Sequence, residues 1–428
     1  MRSGHVIRPI FAPAIEPGCR RPHTFGASVD ALADPAPSPS LTYCGIPVVR
    51  LSRSFVIAVA ILALLHLYIG VRLLPGLPIG AGGWIAGVSI LTFSWITMPL
   101  SMMTRGMVQP WADRIAWAGL VMMGFFSSLL VLTLLRDIVL LPTTLLAPAE
   151  VVAAVVPASA MLVVGVALLV TLIGFANARR RARVVEVEIP LSNLPAPLHG
   201  FSIVQISDVH VGPTIKRGYV DAIVDAVNVL DADLIAVTGD LVDGSVRQLA
   251  SHVAPLSRLK ARHGAYFVNG NHEYYSGERE WSAALRHLGM RVLENEHVVL
   301  THDGAKLVVA GVTDFSAHQF DPRQRSDPSA ALKGAPPEAG ARILLAHQPR
   351  SAPAAAAAGF DLQLSGHTHG GQFWPWNLFV RFQQPFVAGL HRLNRLWVYT
   401  SRGTGYWGPP KRFGAPSEIT RIRLVPAI

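Results

Sequence analysis

Long runs of apolar residues, separated by short connections, dominate the first half of the chain after its N-terminal tail. The four runs cover residues 55–74, 84–103, 112–135 and 151–176. Each offers roughly 20 or more mostly uncharged residues, the length that a helix needs to cross the hydrocarbon core of a bilayer. A buried core helix is the alternative for any single run, but four runs in series favour a transmembrane region over residues 51–178.

From residue 184 onward the apolar runs become short and alternate with amphipathic stretches. The pattern predicts strands over residues 183–191, 201–207, 234–238, 265–268, 307–312, 343–346, 361–364, 396–400 and 419–425. Early βαβ units followed by β-rich sequence indicate an α/β domain with two packed sheets over residues 184–428. A domain of about 245 residues is long enough to bury a full core.

Composition and charge also favour a membrane protein over an ordinary soluble enzyme. The 428 residues are 51% hydrophobic and only 15% charged, and their mean hydropathy is +0.38. The formal net charge of +10 suits membrane topology and contact with anionic lipid. Nucleic acid is not expected as a partner, because no basic stripe with interleaved aromatic residues stands out. Residues 1–50, which hold Cys19 and Cys44, lack periodicity and are predicted to be a disordered tail.

Arginines flank the predicted spans unevenly. Those on one side are Arg50, Arg53, Arg105, Arg114, Arg179, Arg180, Arg181 and Arg183, and those on the other side are Arg72 and Arg136. The positive-inside rule then predicts a multi-pass membrane protein with both termini, and the C-terminal domain, in the cytoplasm. A miscounted span would place that domain on the other face.

Polar side chains that can bind metal ions follow five of the predicted strands at the point where each strand ends. They are Asp208 and His210, Asp240 and Asp243, Asn271 and His272, His347, and His367 and His369. Any one of them has an ordinary explanation, such as a helix cap or a turn. Because ligands bind at the carboxyl ends of strands in open α/β sheets, five such coincidences favour a common site.

The donor atoms of this set are oxygen and nitrogen without a thiolate, which favours Mn, Fe or Zn over a structural cysteine-type zinc site. Even with one histidine and one aspartate set aside, seven candidate ligands are too many for one ion but suit two. Two neighbouring ions need a bridging carboxylate, and a hydroxide bound between them is a nucleophile for in-line displacement at phosphorus. One histidine should stay unligated to protonate the leaving group or stabilise the phosphoryl oxygens.

The order of these motifs resembles that of the calcineurin-like metallophosphoesterase superfamily. Asp-x-His, Gly-Asp-x-x-Asp, Gly-Asn-His-Glu, a lone His and Gly-His-Thr-His follow one another within residues 184–428. The run Gly-His-Thr-His-Gly-Gly-Gln and the tail from Ser401-Arg402-Gly403 to Trp407-Gly408-Pro409-Pro410 are similar to the bacterial membrane-linked branch. The resemblance implies a four-layer α/β/β/α sandwich, here preceded by an all-α region with four transmembrane helices in a bacterial inner membrane.

The resemblance also implies a role for each residue of the site. One divalent ion would be held by Asp208, His210 and His369, and the other by Asn271, His347 and His367, with Asp240 bridging. His272 would be the unligated catalytic histidine, oriented by a neighbouring acid. Glu273 stands where the family often has Asp, and Asp243 is expected to support its loop rather than bind metal.

The implied reaction is metal-dependent hydrolysis of a phosphomonoester, phosphodiester or pyrophosphate bond, and the motifs do not choose among them. The candidate substrate is a lipid-linked phosphoester such as UDP-diacylglucosamine. A phosphodiesterase for soluble substrates that is merely tethered to the membrane is one rival. A membrane transporter or sensor with a regulatory phosphoesterase-like domain is another, which predicts damage to the ligand set that the sequence does not have. Oligomeric state is left open.

Two groups of residues near the last motif have open interpretations. The aromatic residues are either domain core with a covering loop or an apolar lip on the bilayer: Phe373, Trp374, Trp376, Phe379, Phe382 and Phe386. The basic residues fit solvated surface better than phosphate or headgroup binding: Arg381, Arg402, Lys411 and Arg412.

Overall fold

The structure is a computed structural model that describes residues 52–104 and 107–427. The predicted tail over residues 1–50 and Arg105 lie outside the described residues. Contacts between residues divide the chain within its first helix, into one unit that ends at Tyr68 and another from Ile69 to Ile428.

Among the described residues, four helices are long and apolar enough to cross a membrane. They are α1 (Arg53–Leu73), α2 (Ala81–Met102), α3 (Trp111–Leu146) and α4 (Ala149–Arg179). Each overlaps one apolar run, so the prediction of four long apolar helices is confirmed. Within the second unit, α2 packs against α3 and α3 packs against α4.

The third helix continues well past the predicted end at residue 135. There the sequence turns polar, but the charges have partners inside the helical region. Arg136 is buried and donates to the carbonyl oxygens of Arg72 and Val156 at 3.0 and 3.1 Å. Asp137 accepts two hydrogen bonds from Arg72, at 2.8 and 2.9 Å. Because buried charge is tolerated when it is paired and hydrogen-bonded, α3 does not have to stop where the apolar run stops.

Twelve strands lie within the described residues. They are β1 (Arg183–Leu191), β2 (Ser202–Ile206), β3 (Leu234–Val237), β4 (Ala265–Phe267), β5 (Arg291–Val292), β6 (Glu296–His302), β7 (Ala305–Gly311), β8 (Ala341–Leu345), β9 (Leu362–Ser365), β10 (Gly389–Leu393), β11 (Leu396–Thr400) and β12 (Glu418–Pro426). One sheet has the order β1-β12-β2-β3-β4-β5 and the other the order β10-β11-β9-β8-β7-β6. Neighbouring strands from β2 to β5 are parallel, as are β7, β8, β9 and β11.

Helices cover the outer faces of both sheets. The remaining helices are α5 (Arg217–Val229), α6 (Val246–Val253), α7 (Asn271–Ser276), α8 (Glu278–His287), α9 (Pro328–Leu332), α10 (Ala352–Ala358) and α11 (Asn377–Val380). Ile235 of β3 packs in one apolar cluster with residues of α5, α6 and α8, and Leu344 of β8 in another with residues of α9 and α10. Leu234 and Leu345 belong to a third cluster between the sheets. The predicted four-layer α/β/β/α sandwich is therefore confirmed.

Candidate metal centre

The carboxyl ends of five strands meet where the two sheets adjoin. Strands β2, β3 and β4 are parallel neighbours in one sheet, and β8 and β9 are parallel neighbours in the other. The loops after these strands carry all the candidate site residues. The carboxylate of Asp208, after β2, accepts the backbone N–H of His367, after β9, at 2.9 Å. This bond joins the two sheets directly at the site.

The backbone of these loops adopts a conformation that ordinary residues avoid. Five of the site residues have positive φ angles: Asp208 (53°), His210 (54°), Asp240 (52°), His367 (69°) and His369 (52°). For a residue with a Cβ atom, this left-handed conformation costs roughly 1–2 kcal/mol. Such strain persists only where the surroundings impose it, and it concentrates at functional sites.

A first group of side chains consists of Asp208, His210 and His369, all of them buried. The Nε2 atoms of the two histidines are 3.1 Å apart. His369 Nε2 also lies 3.5 Å from Asp208 Oδ1. These are the three residues that the family resemblance assigns to one metal ion, and the structure brings them together.

A second group consists of Asp240, His347 and His367. His347 Nε2 is 3.1 Å from Asp240 Oδ2 and 3.2 Å from His367 Nδ1. The other nitrogen of His347 lies 2.8 Å from the carbonyl oxygen of Thr238. A proton on Nδ1 satisfies that contact, which leaves Nε2 to bind a metal ion. Burial opposes the charge on His347, but Asp240 outweighs it and raises the pKa of this imidazole, so a metal ion would displace the Nε2 proton.

Asp240 lies between the two groups. Its Oδ2 atom, besides the short contact with His347, is 3.9 Å from His210 Nε2 in the first group. Its Oδ1 atom accepts the backbone N–H of His272 at 2.8 Å. A carboxylate in this position can contact ions in both groups at once.

Asn271 provides an independent test of whether this site suits a cation. Its Oδ1 atom is buried and has no hydrogen-bond partner within the described residues. A buried carbonyl oxygen without a partner costs free energy that a hard cation at the site would recover. The oxygen and nitrogen donors together therefore fit divalent metal ions.

Asp243 contacts the Nδ1 atoms of two histidines of the site. Its Oδ1 atom lies 2.6 Å from His272 Nδ1 and 3.0 Å from His210 Nδ1. This carboxylate, and not the adjacent Glu273, is the acid that orients His272. The signal was present in the sequence, because Asp243 is the second aspartate of the Gly-Asp-x-x-Asp motif.

Glu273 has a different task. Its buried carboxylate accepts backbone N–H groups from Gly270 and Asp240, at 2.7 and 2.9 Å, and from Leu241 and Val242, at 2.7 and 3.3 Å. Four donors from two loops converge on one side chain. Glu273 therefore fixes the loop that carries Asp240 against the loop that carries Asn271.

The charges of the site are strongly coupled. Burial opposes ionisation of Asp240, but the fields of His347, His272 and His210 outweigh it and hold the pKa of this carboxyl well below its ordinary value. Burial also opposes the charge on His272, but Asp240 and Asp243 outweigh it and raise its pKa to about 9. Burial and the neighbouring His347 lower the pKa of His367 to about 3. His367 is therefore neutral at pH 7, the form in which imidazole binds metals.

Two residues beside the site, Trp407 and Arg412, were not assigned to it from the sequence. The Trp407 ring lies 5.6 Å from the His272 ring, edge to face. Arg412 donates to the carbonyl oxygen of His369 at 3.0 Å. Lys411 and Arg412 are each only 1% exposed, so the interpretation of both as solvated surface is wrong.

The aromatic residues after the last motif divide into buried and exposed side chains. Phe373 is buried, and Phe386 packs against the core on the outer face of the second sheet. The others are exposed: Trp374, Trp376, Phe379 and Phe382. Trp376 Nε1 donates to Ser127 Oγ of α3 at 2.9 Å, which places this aromatic segment beside an apolar helix.

Comparison with known proteins agrees with this geometry. A model of the calcineurin-like phosphoesterase family matches residues 201–371. A transmembrane protein with metallophosphoesterase domain from Danio rerio is 40% identical over 261 residues, 59% of this chain and 59% of its own length. An uncharacterized metallophosphoesterase from Helicobacter pylori is 39% identical over 257 residues, 59% of this chain and 66% of its own length.

The chain thus spans about three fifths of the length of the Danio rerio relative. A shorter relative is matched nearly completely: an uncharacterized metallophosphoesterase from Aquifex aeolicus is 32% identical over 244 residues, 56% of this chain and 91% of its own length. This extensive match confirms the resemblance seen in the motifs. The chain belongs to the calcineurin-like phosphoesterase family.

Proposed function

We propose that this protein is a membrane-anchored, metal-dependent phosphoesterase that acts through two divalent ions, of Mn, Fe or Zn. The observation that carries the proposal is the position of Asp240 Oδ2. It lies 3.1 Å from His347 Nε2 in one group of donors and 3.9 Å from His210 Nε2 in the other. A buried carboxylate shared in this way is what a binuclear centre requires.

Each donor group would hold one ion. Asp208, His210 and His369 would bind the first, and Asn271, His347 and His367 the second, with Asp240 contacting both. When bound, two such ions neutralise charge on the phosphoryl oxygens and make a water molecule nucleophilic at neutral pH. The contribution of the chain is to hold these seven side chains in place before substrate arrives.

His272 is proposed to deliver a proton to the leaving oxygen. Asp243 holds its Nδ1 atom, which leaves Nε2 to face the substrate. That nitrogen lies 4.0 Å from Asp240 Oδ2, next to the donors without belonging to either ligand set. A positioned proton donor of this kind contributes about 10²–10⁴-fold to the rate.

The substrate is proposed to be a phosphoester attached to a lipid. Trp407, beside His272, is 47% exposed, and Phe379 and Phe382 are 54% and 77% exposed. Trp376 ties this aromatic segment to α3, a helix long enough to span a bilayer. Exposed aromatic side chains at that position suit the membrane interface and the apolar part of a lipid. UDP-diacylglucosamine is one molecule of this class to be tested, together with other lipid phosphoesters.

The catalytic domain is proposed to face the cytoplasm from a bacterial inner membrane. The support is the excess of arginine around the start of α1, around the connection from α2 to α3 and around the end of α4, compared with Arg72 and Arg136 on the other side. Single cysteines introduced at exposed Ser257 and at exposed Leu146 provide the test, in a background with the two native cysteines replaced. A membrane-impermeant thiol reagent applied to intact cells should label the cysteine at position 146 and spare that at 257; the reverse labelling would contradict the proposed orientation.

The catalytic proposal is tested with the full chain in detergent micelles. After metal is removed and Mn²⁺ is added back, hydrolysis is measured on a chromogenic phosphodiester, its monoester and a lipid-linked pyrophosphate. Turnover should need the metal and disappear in the Asp240→Asn variant. The matched control is Asp303→Asn, which changes an exposed carboxylate paired with Arg262.

The outcomes separate the candidate functions. Turnover of the lipid substrate well above that of both soluble esters supports the lipid assignment. Equal efficiency on lipid and soluble esters would contradict that assignment and favour a tethered phosphodiesterase. Failure of the wild-type chain to bind any divalent metal would contradict the catalytic proposal and favour a regulatory domain.

A further inference from the structure

Two consecutive charged residues, Lys411 and Arg412, are buried together. They lie in an irregular segment between the end of β11 and the start of β12, which begins at Glu418. Charged side chains are almost never fully buried unless something in the fold requires them there. Their contacts lie on opposite sides, toward the apolar helices and toward the metal centre.

Lys411 contacts α3 and α4. Its Nζ atom donates to the carbonyl oxygen of Gly124 at 2.9 Å, to Ser128 Oγ, and to Thr171 Oγ1 at 3.3 Å. All three acceptors are uncharged and lie on helices that are long enough to cross a membrane. The ammonium group therefore joins the phosphoesterase domain to two of these helices at one point.

The backbone of Arg412 is bound to the same helix α4. Its N–H group donates to the carbonyl oxygen of Gly174 at 2.8 Å. Its own carbonyl oxygen accepts from Asn177 Nδ2 at 3.3 Å. A helix that moves along or around its axis must therefore move this residue with it.

The side chain of Arg412 contacts the loop that carries His369. Its guanidinium group donates to the carbonyl oxygens of His369 and Arg402, at 3.0 and 2.7 Å, and to that of Ala415 at 3.2 Å. It also lies 3.0 Å from His369 Nδ1. Within the turn over residues 369–372, His369 and Gln372 have positive φ angles although neither is glycine. Such backbone persists only where the surrounding contacts hold it.

Gln372, at the other end of the same turn, bonds to the segment that precedes Lys411. Its Nε2 atom donates to the carbonyl oxygens of Trp407 and Pro409, at 2.8 and 3.0 Å. The segment around Lys411 and Arg412 thus holds both ends of the turn that follows the metal motif.

We propose that Lys411 and Arg412 are positioning residues through which α3 and α4 set the geometry of His369, and hence the affinity of the first metal ion. The inference rests on the proposed function of His369 as a ligand. It gives the apolar helices a role beyond anchoring: without them, Lys411 and the backbone of Arg412, which adjoin the loop that presents His369, lose their partners. Outer-shell contacts to a metal ligand commonly account for about 10–100-fold in metal affinity.

A substitution on α4 tests this link without altering any residue of the site. A Cβ atom added at Gly174 would lie 2.6 Å from Lys411 Cγ, whereas one added at Gly165 of the same helix meets nothing within 4 Å. The experiment compares Gly174→Ala with Gly165→Ala in the full chain, in detergent micelles. It measures the number of Mn²⁺ ions bound and the affinity of each, together with kcat and KM.

We expect Gly174→Ala to lower the affinity for one of the two ions by about tenfold or more. The variant should also have a lower kcat and an unchanged KM. Gly165→Ala should match the wild type. Equal weakening of both ions would indicate general destabilisation and would overturn the proposal, as would unchanged binding in Gly174→Ala. If the wild type binds no Mn²⁺ at all, the catalytic proposal itself would be refuted.

A second variant keeps the test decisive if Gly174→Ala does not fold. Lys411→Met keeps most of the side-chain volume but removes the donors to α3 and α4. This variant should show the same selective fall in the affinity for one of the two ions. Wild-type affinity for both ions in a folded Lys411→Met protein would overturn the proposed link.

Discussion

Asp243 and His272 follow different strands, yet Asp243 Oδ1 lies 2.6 Å from His272 Nδ1. The same oxygen lies 3.0 Å from Nδ1 of His210, a candidate metal ligand. One carboxylate thus orients both the proposed proton donor and a residue of the first donor group. Metal binding by His210 and proton transfer by His272 are therefore both expected to depend on the carboxylate of Asp243.

Replacing His272 should affect the leaving-group step selectively. In His272→Asn we expect kcat to fall by about 10²–10⁴-fold on an alkyl phosphodiester, whose leaving group needs a proton. The loss should be much smaller on a nitrophenyl ester, because nitrophenolate leaves without protonation. Steady-state kinetics on both esters provide the measurement, with exposed His287→Asn as control. Equal losses on the two esters would show that His272 is not the proton donor.

Replacing Asp243 should produce the same kinetic defect and a further one. Asp243→Asn removes the charge that holds both imidazole rings, so metal affinity should fall by about 10–100-fold as well. His272→Asn should leave metal affinity near that of the wild type, because His272 is not a ligand. Metal titration of the two variants makes the comparison. If both variants bind metal like the wild type, Asp243 does not support His210.

Replacing Glu273 should destabilise the domain. Glu273→Gln retains only one acceptor oxygen for the four N–H groups that meet the carboxylate, so buried donors are left without partners. We expect the free energy of unfolding to drop by about 1–3 kcal/mol. Unfolding of the metal-free protein in detergent is the measurement, and exposed Glu280→Gln in α8 is the matched control. An unfolding midpoint equal to that of the wild type would contradict the proposal that Glu273 fixes the two loops against each other.

Removing the exposed aromatic rings should separate lipid from soluble substrates. In the double variant Phe379→Ser and Phe382→Ser we expect about tenfold lower activity on a lipid phosphoester in vesicles, because two apolar side chains no longer enter the interface. Activity on a soluble chromogenic diester should not change. Exposed Val299→Ser on β6 is the control. Equal losses on both substrates would argue for a structural role of these rings.

Lys411 should make the stability depend on pH. Burial lowers its pKa to about 8 from an ordinary value of 10.5. Between these pH values the unfolded chain binds a proton that the folded chain does not, so stability rises with pH, by at most about 1.4 kcal/mol per pH unit. The stability gained from the neutral form of Lys411 is therefore lost as the pH falls from 10.5 through 8. Thermal unfolding in detergent at pH 7.5, 8.5 and 9.5 should show that the stability of the wild type, and of exposed Lys306→Met, rises relative to that of Lys411→Met as the pH increases. An identical pH dependence in Lys411→Met would exclude Lys411 as its source.

Much of the fold could be read from local patterns. Four apolar runs predicted four helices, and alternation placed β1 at Arg183–Leu191, where the structure has it. The strands that the pattern missed are β5, β6 and β10, each at the edge of a sheet. Only Val298 and His302 of β6 are buried, so its sequence shows no sustained alternation of apolar and polar residues.

The sequence by itself determined which residues could bind metal, because it fixed their chemical types and their positions after strands. The family resemblance implied how they divide between two ions, and only the tertiary structure decided which contacts hold them in place. It brought Asp240 between two donor groups and placed Asp243, rather than the adjacent Glu273, in contact with His272. It also buried Lys411 and Arg412 between the apolar helices and His369. These outcomes depend on contacts between segments tens to hundreds of residues apart. Local sequence carries no direct record of such contacts, since burial and pairing are set by how the whole chain packs.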